Sequence, residues 1–498
     1  MSVQILTARR IADGTTSEVF AGRITLKNGI IQSVEWGDFV PGGGEERFFD
    51  ESKVLCPAFI DSHGHSDISV FAMKEAQGKT AQGIAFEISG NCGLSPFPLT
   101  NHNREHLQEL YCSYHTLLDW RNYSSYMQKL QQLRPALELF PQVGHNTLRA
   151  SVAGYEKKHL TPEESNQMCN ILDRELAAGA VGLSAGLLYV PGCFADMDEL
   201  VKLLQVVARH DKVFTIHLKS EGNDLENALS ETLEAARRAG LKKVHLSHLK
   251  TAGVQNFHKI DAILNALATP GMRVTGDVYC YNASMTQLSV ILPEPFDEYD
   301  DVKLMKVLHE PTVYKEILAK LQQQRSKEYW QNVRIISAAE PYKKYNGKIL
   351  ADAAICENLA PEELYLEILK LDAPGSTGAF HTLSQENMEL LAAHKSVVPG
   401  SDESARNQTY AFGSSHPRGF GNHAEYFALR RKQGAVLGEI ISEMSGNIAK
   451  IFGLNSIGSI TPGKRAVFTV IDQEKYQSTA TFAQPHSLAK GAEILRFQ

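Results

Sequence analysis

Two histidines that are separated by a single residue stand in the stretch DSHGHSD, which begins at Asp61. The stretch follows directly on the apolar run VLCPAFI, which is typical of a buried strand. Because residues i and i+2 point to the same face of a strand, His63 and His65 can direct two imidazoles at one point. Such a pair predicts a metal site, although two structural histidines at a strand end have the same pattern. The side chains that follow the other strands distinguish between these two interpretations.

Metal-ligand side chains follow four further apolar runs of the sequence. Cys92 stands in GNCG after IAFEIS, His217 follows VFTI, His248 follows VHLS, and Asp402 follows SVVPGS. Each one alone has an ordinary explanation, such as a buried thiol or a turn residue. Five strands that all end in such side chains predict one metal centre. We expect His245 to face away from His248 in the strand pleat.

The apolar runs belong to strands that alternate with helices between residues 58 and 455. In the stretch HLTPEESNQMCNILDRELAAGAVGLSAGLLY, Thr161 and Glu164 form a capping box, Pro162 occupies the first helical position, and Gly179 can end the helix before the next strand. Alternating helices and near-continuous apolar strands predict an α/β fold with parallel strands. The number of these units predicts a (β/α)8 barrel, in which catalytic groups follow the carboxyl ends of the strands.

The two ends of the chain have a different pattern from its centre. Residues 1–57 and 456–498 contain short strands and tight turns, which predict one small β-sandwich domain built from both ends. Residues 58–455 form the predicted hydrolase barrel. Residues 287–347, which include Pro293, Pro295 and the acidic stretch DEYDD, interrupt the alternation as an insertion.

Composition excludes several classes of function. The chain has 498 residues, 43% of them hydrophobic, and a net charge of −7, so it lacks the basic field of a nucleic-acid-binding protein. No apolar run approaches the roughly 18 residues of a membrane span, and the amino terminus lacks the apolar segment of a secretory signal. Seven scattered cysteines are typical of a reduced protein. We therefore expect a cytoplasmic protein with a small-molecule partner, whose oligomeric state stays open.

The motifs resemble those of the amidohydrolase superfamily and, within it, the N-acyl-D-amino-acid deacylases (D-aminoacylases). The resemblance is carried in family order by PAFIDSHGHSD, SGNCGLSPFPL, AVGLSAGLLYVPG, HLKSE, LSHLK, GDVYCYNAS, SDES and SSHPRGFG. It implies a tight zinc site formed by Cys92, His217 and His248. It also implies a weaker or empty second site near His63 and His65.

The same resemblance implies the remaining roles in the site. Asp402 matches a catalytic aspartate, while Lys250, Tyr281 and Arg418 would hold the carboxylate of the substrate, and Tyr189 would also contact the substrate. The chemistry of the residues agrees, because a thiolate with two imidazoles suits zinc better than magnesium or calcium. A nearby carboxylate can take a proton from water and later give it to a leaving amine.

The chain departs from the family pattern in three places. Residues 279–281 are Tyr-Cys-Tyr where Tyr-Pro-Tyr is expected, the stretch after HPR is GFGNHAEYF, and Gly64 stands where threonine is common. None of these changes removes a ligand, but the first two affect loops that should border the substrate side chain.

The predicted function is zinc-dependent hydrolysis of N-acyl-D-amino acids to a carboxylic acid and a free D-amino acid. The D configuration comes only from the resemblance, and the acyl group and side chain stay open. A cyclic-amide hydrolase of the hydantoinase or dihydroorotase kind is one alternative, although AVGLSAGLLY contains no lysine that could be carboxylated. A barrel retained as a scaffold is another alternative, although such proteins usually lose their ligands.

Overall fold

The computed structural model describes residues 3–42, 46–299 and 301–497 of the chain. Its strands, in chain order, are β1 (Val3–Ile11), β2 (Phe20–Lys27), β3 (Ile30–Trp36), β4 (Glu46–Phe49), β5 (Lys53–Pro57), β6 (Phe59–Asp61), β7 (Ile84–Ser89), β8 (Glu138–Pro141), β9 (Val143–Gly144), β10 (Gly182–Gly186), β11 (Val213–His217), β12 (Lys243–Leu246), β13 (Arg273–Val278), β14 (Ser284–Gln287), β15 (Val333–Ser337), β16 (Thr377–Phe380), β17 (Val397–Pro399), β18 (Val467–Asp472) and β19 (Ala492–Arg496).

The helices connect these strands along the outside of the fold. In chain order they are α1 (Ser69–Ala72), α2 (Gln77–Thr80), α3 (Arg104–Leu110), α4 (Tyr123–Leu133), α5 (His145–Ala153), α6 (Pro162–Ala178), α7 (Met197–Arg209), α8 (Leu225–Ala239), α9 (Ile260–Leu267), α10 (Asp301–Val307), α11 (Pro311–Gln324), α12 (Lys327–Gln331), α13 (Leu350–Glu357), α14 (Pro361–Asp372), α15 (Gln385–Ala392), α16 (Arg418–Lys432), α17 (Leu437–Met444) and α18 (Gly446–Phe452). Among the described residues, none of these helices combines the length and apolar character needed to cross a bilayer.

Parallel strands form a barrel whose carboxyl ends meet at one mouth. β6, β7 and β8 form one run of paired strands, and β9 to β13 followed by β17 form another. β8 and β9 are separated only by Gln142 and together make the third strand of the barrel. The first and last strands are joined by backbone hydrogen bonds such as the one from the Asp402 amide to the His63 carbonyl, at 2.7 Å. The predicted barrel is therefore confirmed, and its mouth collects the strand-end side chains.

The helix predicted from its capping box shows how local sequence sets an element of this barrel. The Glu164 amide donates to the Thr161 hydroxyl at 3.2 Å, and the Thr161 amide donates to the Glu164 carboxylate at 2.9 Å. α6 begins at Pro162 and is followed by Gly179, whose φ of +129° suits a residue without a side chain. Both ends of this helix were predictable because its capping groups are local.

Strands from both ends of the chain share one seven-stranded sheet beside the barrel. Its order is β19-β18-β5-β1-β2-β3, and β4 also pairs with β1. β18 lies antiparallel to both β5 and β19, so the carboxyl-terminal strands extend the sheet begun by the first 57 residues. The division into domains at residues 57 and 456 stays a prediction.

The segment between β13 and β17 contains a small unit with its own apolar core. β14, β16 and β15 form an antiparallel sheet that packs with helices α10 to α14. The buried apolar side chains of this core extend from Leu288 to Phe380 and include Trp330, whose indole donates to Glu362 at 2.8 Å. The sequence predicted an insertion over residues 287–347, and this core continues beyond that range.

Candidate metal centre and active site

The barrel brings five of the predicted residues together at its mouth. The Sγ atom of Cys92 lies 3.3 Å from Nε2 of His63 and 3.5 Å from Nε2 of His248. Oδ1 of Asp402 lies 3.2 Å from Nε2 of His65 and 3.5 Å from Nε2 of His63. One ligand atom from each of His63, Cys92, His248 and Asp402 lies within 4.8 Å of all the others. These distances are short enough for the side chains to share metal ions.

Three of these residues have a backbone conformation that is uncommon outside glycine. Cys92, His248 and Asp402 have φ angles of +52°, +36° and +52°, in the left-handed region. Each residue directly follows or closely follows the end of a strand, where the turn redirects its side chain toward the barrel axis. Left-handed residues of this kind persist only where the surrounding structure holds them, and they are concentrated at functional sites.

His217 completes the group of candidate ligands. Its ring lies edge-on to that of His248, with 4.4 Å between the ring centres. Both ring nitrogens are buried, and neither makes a hydrogen bond within the part of the chain that the structure describes. A buried imidazole without a partner is costly unless a ligand such as a metal ion satisfies it.

The donor set fits zinc. Burial alone would raise the pKa of the Cys92 thiol, but the facing His63 and His248 rings hold this pKa well below its usual range. Cys92 can therefore serve as a thiolate, which together with imidazoles is a typical zinc ligand. Cys92, His217 and His248 together offer one sulfur and two nitrogen ligands to a zinc ion. His63 and His65 lie beside them and could hold a second metal ion.

Glu221 supports this centre from behind His248, and sequence analysis missed it. Its Oε1 atom lies 2.8 Å from Nδ1 of His248 and 2.6 Å from Nζ of Lys250. Burial would raise the pKa of Glu221, but Lys250 and the neighbouring histidines lower it. A carboxylate on Nδ1 fixes the ring orientation so that Nε2 faces Cys92. Its place in HLKSE, four residues after His217, was the available signal.

Asp277 plays the same part for His63 and was also missed. Its Oδ2 atom lies 3.1 Å from Nδ1 of His63 and 3.0 Å from Nε2 of His245, while Oδ1 accepts the His248 amide at 2.9 Å. Asp277 is fully buried near the end of β13. His245, which was expected to face away from His248, therefore shares an oxygen of the Asp277 carboxylate with the candidate ligand His63. An acidic residue near another strand end was the signal that could have identified Asp277.

Arg418 and Lys250 both lie near the ring of Tyr279 next to the cluster. Nη1 of Arg418 lies 2.9 Å from Oδ2 of Asp402, and its guanidinium carbon is 4.7 Å from the centre of the Tyr279 ring. Nζ of Lys250 is 5.7 Å from the same ring centre. Burial would raise the pKa of Asp402, but Arg418 holds it well below the usual range. Of the two predicted cations, Arg418 thus pairs directly with the predicted catalytic carboxylate, while Lys250 pairs with Glu221.

Of the two tyrosines near the end of β13, the structure brings Tyr279 to the cluster and not Tyr281. The Tyr281 hydroxyl donates to the Pro417 carbonyl at 3.4 Å, and its ring lies edge-on to His416. The strand ends at Val278, and the Tyr281 amide bonds to the Tyr279 carbonyl at 3.0 Å, so the chain turns there. Tyr279 rather than Tyr281 therefore lies beside Arg418 and Lys250, because the alternation of a strand does not continue through a turn, and the role predicted for Tyr281 at the substrate carboxylate stays a prediction.

The hydroxyl of Tyr279 is buried and has no hydrogen-bond partner among the described residues. Burial raises the pKa of Tyr279 to about 12, so this hydroxyl is a donor at neutral pH. Tyr189, which was predicted to contact the substrate, has its ring 5.0 Å from that of His217. Tyr279 and Tyr189 therefore contribute to the walls beside the candidate ligands.

Known proteins resemble this chain over most of its length. The sequence profile of the amidohydrolase family matches residues 51–490. The chain belongs to the amidohydrolase family. This amidohydrolase is 27% identical to the N-acyl-D-glutamate deacylase of Alcaligenes xylosoxydans xylosoxydans, over 92% of this chain and 85% of that protein. The family predicted from the motifs is thus confirmed.

Solved structures of similar proteins share the fold. An N-acyl-D-glutamate deacylase from Bordetella bronchiseptica, complexed with zinc and a phosphonate mimic of the tetrahedral intermediate, superposes with a TM-score of 0.81 at 24% identity. That comparison covers 100% of this amidohydrolase and 96% of the other chain. A D-aminoacylase studied for its binuclear metal centre has a TM-score of 0.78 at 25% identity, covering 98% and 94% of the two chains.

We predict that replacing Cys92 with alanine abolishes firm metal binding. The variant loses the thiolate, which is the only sulfur ligand of the proposed set. The wild-type protein purified without added metal should contain about one zinc per chain. Elemental analysis measures the zinc content of both proteins. Cys56→Ala is the matched control, because Cys56 is also a buried thiol but donates to the Thr469 carbonyl in the seven-stranded sheet. Retention of zinc by Cys92→Ala would show that this thiol is not a ligand.

Proposed function

We propose that this amidohydrolase hydrolyses the amide bond of N-acyl-D-amino acids and releases a carboxylic acid and a free D-amino acid. The observation that carries the proposal is the cluster of His63, Cys92, His248 and Asp402, with the ring of His217 against that of His248. The relatives named N-acyl-D-glutamate deacylase and D-aminoacylase support the substrate class and its D configuration.

Zinc is the proposed cofactor, with one firm site formed by Cys92, His217 and His248. Bound there, zinc would supply a Lewis acid that polarises the amide carbonyl and acidifies water. His63 and His65 offer only two imidazoles of their own, so a second site beside the first should be weaker. The unequal ligand sets thus support one tight and one weak site.

Asp402 is the proposed general base and acid. Its Oδ1 atom faces His63 and His65, and its Oδ2 atom is paired with Arg418, so the carboxylate is held at the metal cluster from both sides. Because its pKa is lowered, Asp402 is ionised at neutral pH and can accept a proton from the attacking water. The same carboxyl group can then protonate the amine that leaves.

Arg418, Lys250 and Tyr279 are the proposed partners of the substrate carboxylate. Arginine can bind a carboxylate with two parallel hydrogen bonds, and the Lys250 ammonium has three donors, which now face Glu221 and Nδ1 of His248 and leave one for a ligand. The free Tyr279 hydroxyl is a third donor in the same place. Such a group would orient an N-acyl amino acid with its amide over the metal site, which distinguishes this enzyme from a general amidase.

Cyclic-amide hydrolysis is less well supported by the fourth strand of the barrel. This strand is β10, Gly182–Gly186, and its sequence GLSAG contains no lysine that could be carboxylated to bridge two metals. We also propose a cytoplasmic location for the enzyme, because its seven cysteines are all free thiols, as in a reducing compartment.

The substrate class is tested with a panel of N-acetyl and N-formyl D- and L-amino acids together with hydantoins. We expect release of free amine from D-configured linear substrates, because these resemble the substrates of the named relatives. An assay for primary amine follows the linear substrates, and ring opening follows the hydantoins. Turnover of hydantoins without turnover of any N-acyl amino acid would contradict the proposal.

We predict that Asp402→Asn keeps its zinc and loses hydrolysis. The amide is close in shape to the carboxylate but cannot shuttle a proton at neutral pH, and general acid–base catalysis is typically worth about 10²- to 10⁴-fold. Steady-state kinetics and elemental analysis measure the two properties. A variant that kept nearly the rate of the wild type would remove Asp402 from the mechanism.

We predict that Tyr279→Phe raises KM for an N-acyl amino acid, whereas the matched variant Tyr281→Phe does not. Loss of a hydrogen bond to a charged group costs roughly 1.5–3 kcal/mol, which is about a 10- to 100-fold change. The preference of the enzyme for a free carboxylate over its amide should shrink in Tyr279→Phe. The reverse order of the two variants would restore the placement predicted from sequence.

A further inference from the structure

The junction between the first and last strands of the barrel separates the two halves of the active site. We call this junction, from residues 59–66 on one side to 397–403 on the other, the seam. β6 and β17 have only three residues each, and the Ser62 amide reaches the Pro399 carbonyl at a long 3.4 Å. His63 and His65 lie on one side of the seam and Asp402 lies on the other. Backbone bonds do cross the seam, from the Asp402 amide to the His63 carbonyl at 2.7 Å and from the His65 amide to the Glu403 carbonyl at 3.0 Å, but they are few, so side chains can add to the support of this junction.

One buried lysine lies directly beneath the seam. Lys79, from α2, has no exposed surface, and its Nζ atom is paired with the carboxylates of Asp61 and Glu87, the latter at 3.0 Å. The same atom donates to Oγ of Ser401 at 2.6 Å and to the carbonyl of Glu403 at 3.0 Å. A single ammonium group thus connects β6, β7 and the loop that carries Asp402.

The two carboxylates extend these contacts to the backbone next to the ligands. Oδ1 of Asp61 accepts the Ser401 amide at 2.8 Å and the His63 amide at 3.2 Å. Glu87 accepts the Ser66 amide at 2.9 Å and the Ser66 hydroxyl at 2.7 Å. Both sides of the seam are therefore held through residues adjacent to His63, His65 and Asp402.

Gly64, between the two histidines, is required by the same contact. A Cβ atom at this position would lie 2.0 Å from Cδ of Glu87 and 2.3–2.4 Å from its two oxygens. No side chain fits at that distance, so the loop can lie against Glu87 only with glycine here. The glycine of the HGH stretch therefore leaves free the space that the Glu87 carboxylate occupies.

We propose that Lys79, Asp61 and Glu87 are positioning residues that fix Asp402 relative to His63 and His65 across the seam, and that Gly64 is present to admit Glu87. Burying three charges is costly, and an apolar replacement is often as stable. A role in positioning accounts for their presence. The kinetic test of this inference rests on the proposed hydrolysis, while its metal-binding test does not.

The first test compares Lys79→Met and Glu87→Gln with the wild type. We expect kcat to fall by about 100-fold, the scale for misplacement of a reacting group, with KM little changed. We also expect the first zinc to be retained, while the affinity for a second zinc falls by about 10- to 100-fold, as when an outer partner of a ligand is removed. Titration calorimetry of the enzyme that already contains one zinc measures this affinity.

The matched control is Glu443→Gln. Glu443 is also a buried carboxylate; it pairs with Arg430 at 2.9 Å and accepts from Tyr426, both on α16, and among the described residues it has no hydrogen bond or ion pair with the seam. This control should lower the thermal midpoint and leave kcat and both zinc affinities unchanged. Equal losses of kcat in the control and in Glu87→Gln would overturn the inference, because the effect would then be one of general stability.

A double-mutant cycle keeps the inference testable even if Lys79→Met does not fold. Gly64→Ala should reduce kcat by about 100-fold through its collision with Glu87, and should cause little further loss once Glu87 is alanine. Losses that simply add would show that Gly64 and Glu87 act independently. If the wild type hydrolyses no amide, the proposed function fails, and the second-zinc affinities of the same variants still decide the role of the network.

Discussion

Buried acidic groups at the mouth of the barrel are stabilised by the imidazoles and cations that face them. Two histidines lower the pKa of Cys92, Arg418 lowers the pKa of Asp402, and Lys250 lowers the pKa of Glu221. A buried charge without such a partner would be costly, so each charge requires its neighbour in a fixed place. The barrel provides this because parallel strands bring their carboxyl ends to one edge. The metal site and the substrate site are therefore parts of one electrostatic arrangement.

Most of the barrel and the ligands could be predicted because their signals are local. Each of His63, Cys92, His217, His248 and Asp402 follows an apolar run, and the barrel converts this position in the sequence into a position in space. The alternation of helices and strands is equally local, and so are the capping groups of α6. The chemistry of the site could thus be inferred from residue types and from the elements that precede them.

The supporting residues could not be predicted because their roles depend on tertiary contacts. Asp277 and Glu221 are acidic residues like many others until the fold places them behind His63 and His248. Whether Tyr279 or Tyr281 lies beside Arg418 depends on a turn that no local motif indicates. The extent of the small unit after β13 depends on an apolar core assembled from distant helices. Sequence patterns identify strand ends but not the turns and contacts beyond them.

The central claim is that the thiolate of Cys92 holds a zinc ion together with imidazoles. X-ray absorption at the zinc edge of the protein purified without added metal tests this claim most directly. The account predicts one sulfur neighbour at about 2.3 Å and nitrogen or oxygen neighbours at about 2.0–2.1 Å. A spectrum that requires only nitrogen and oxygen neighbours would contradict the account.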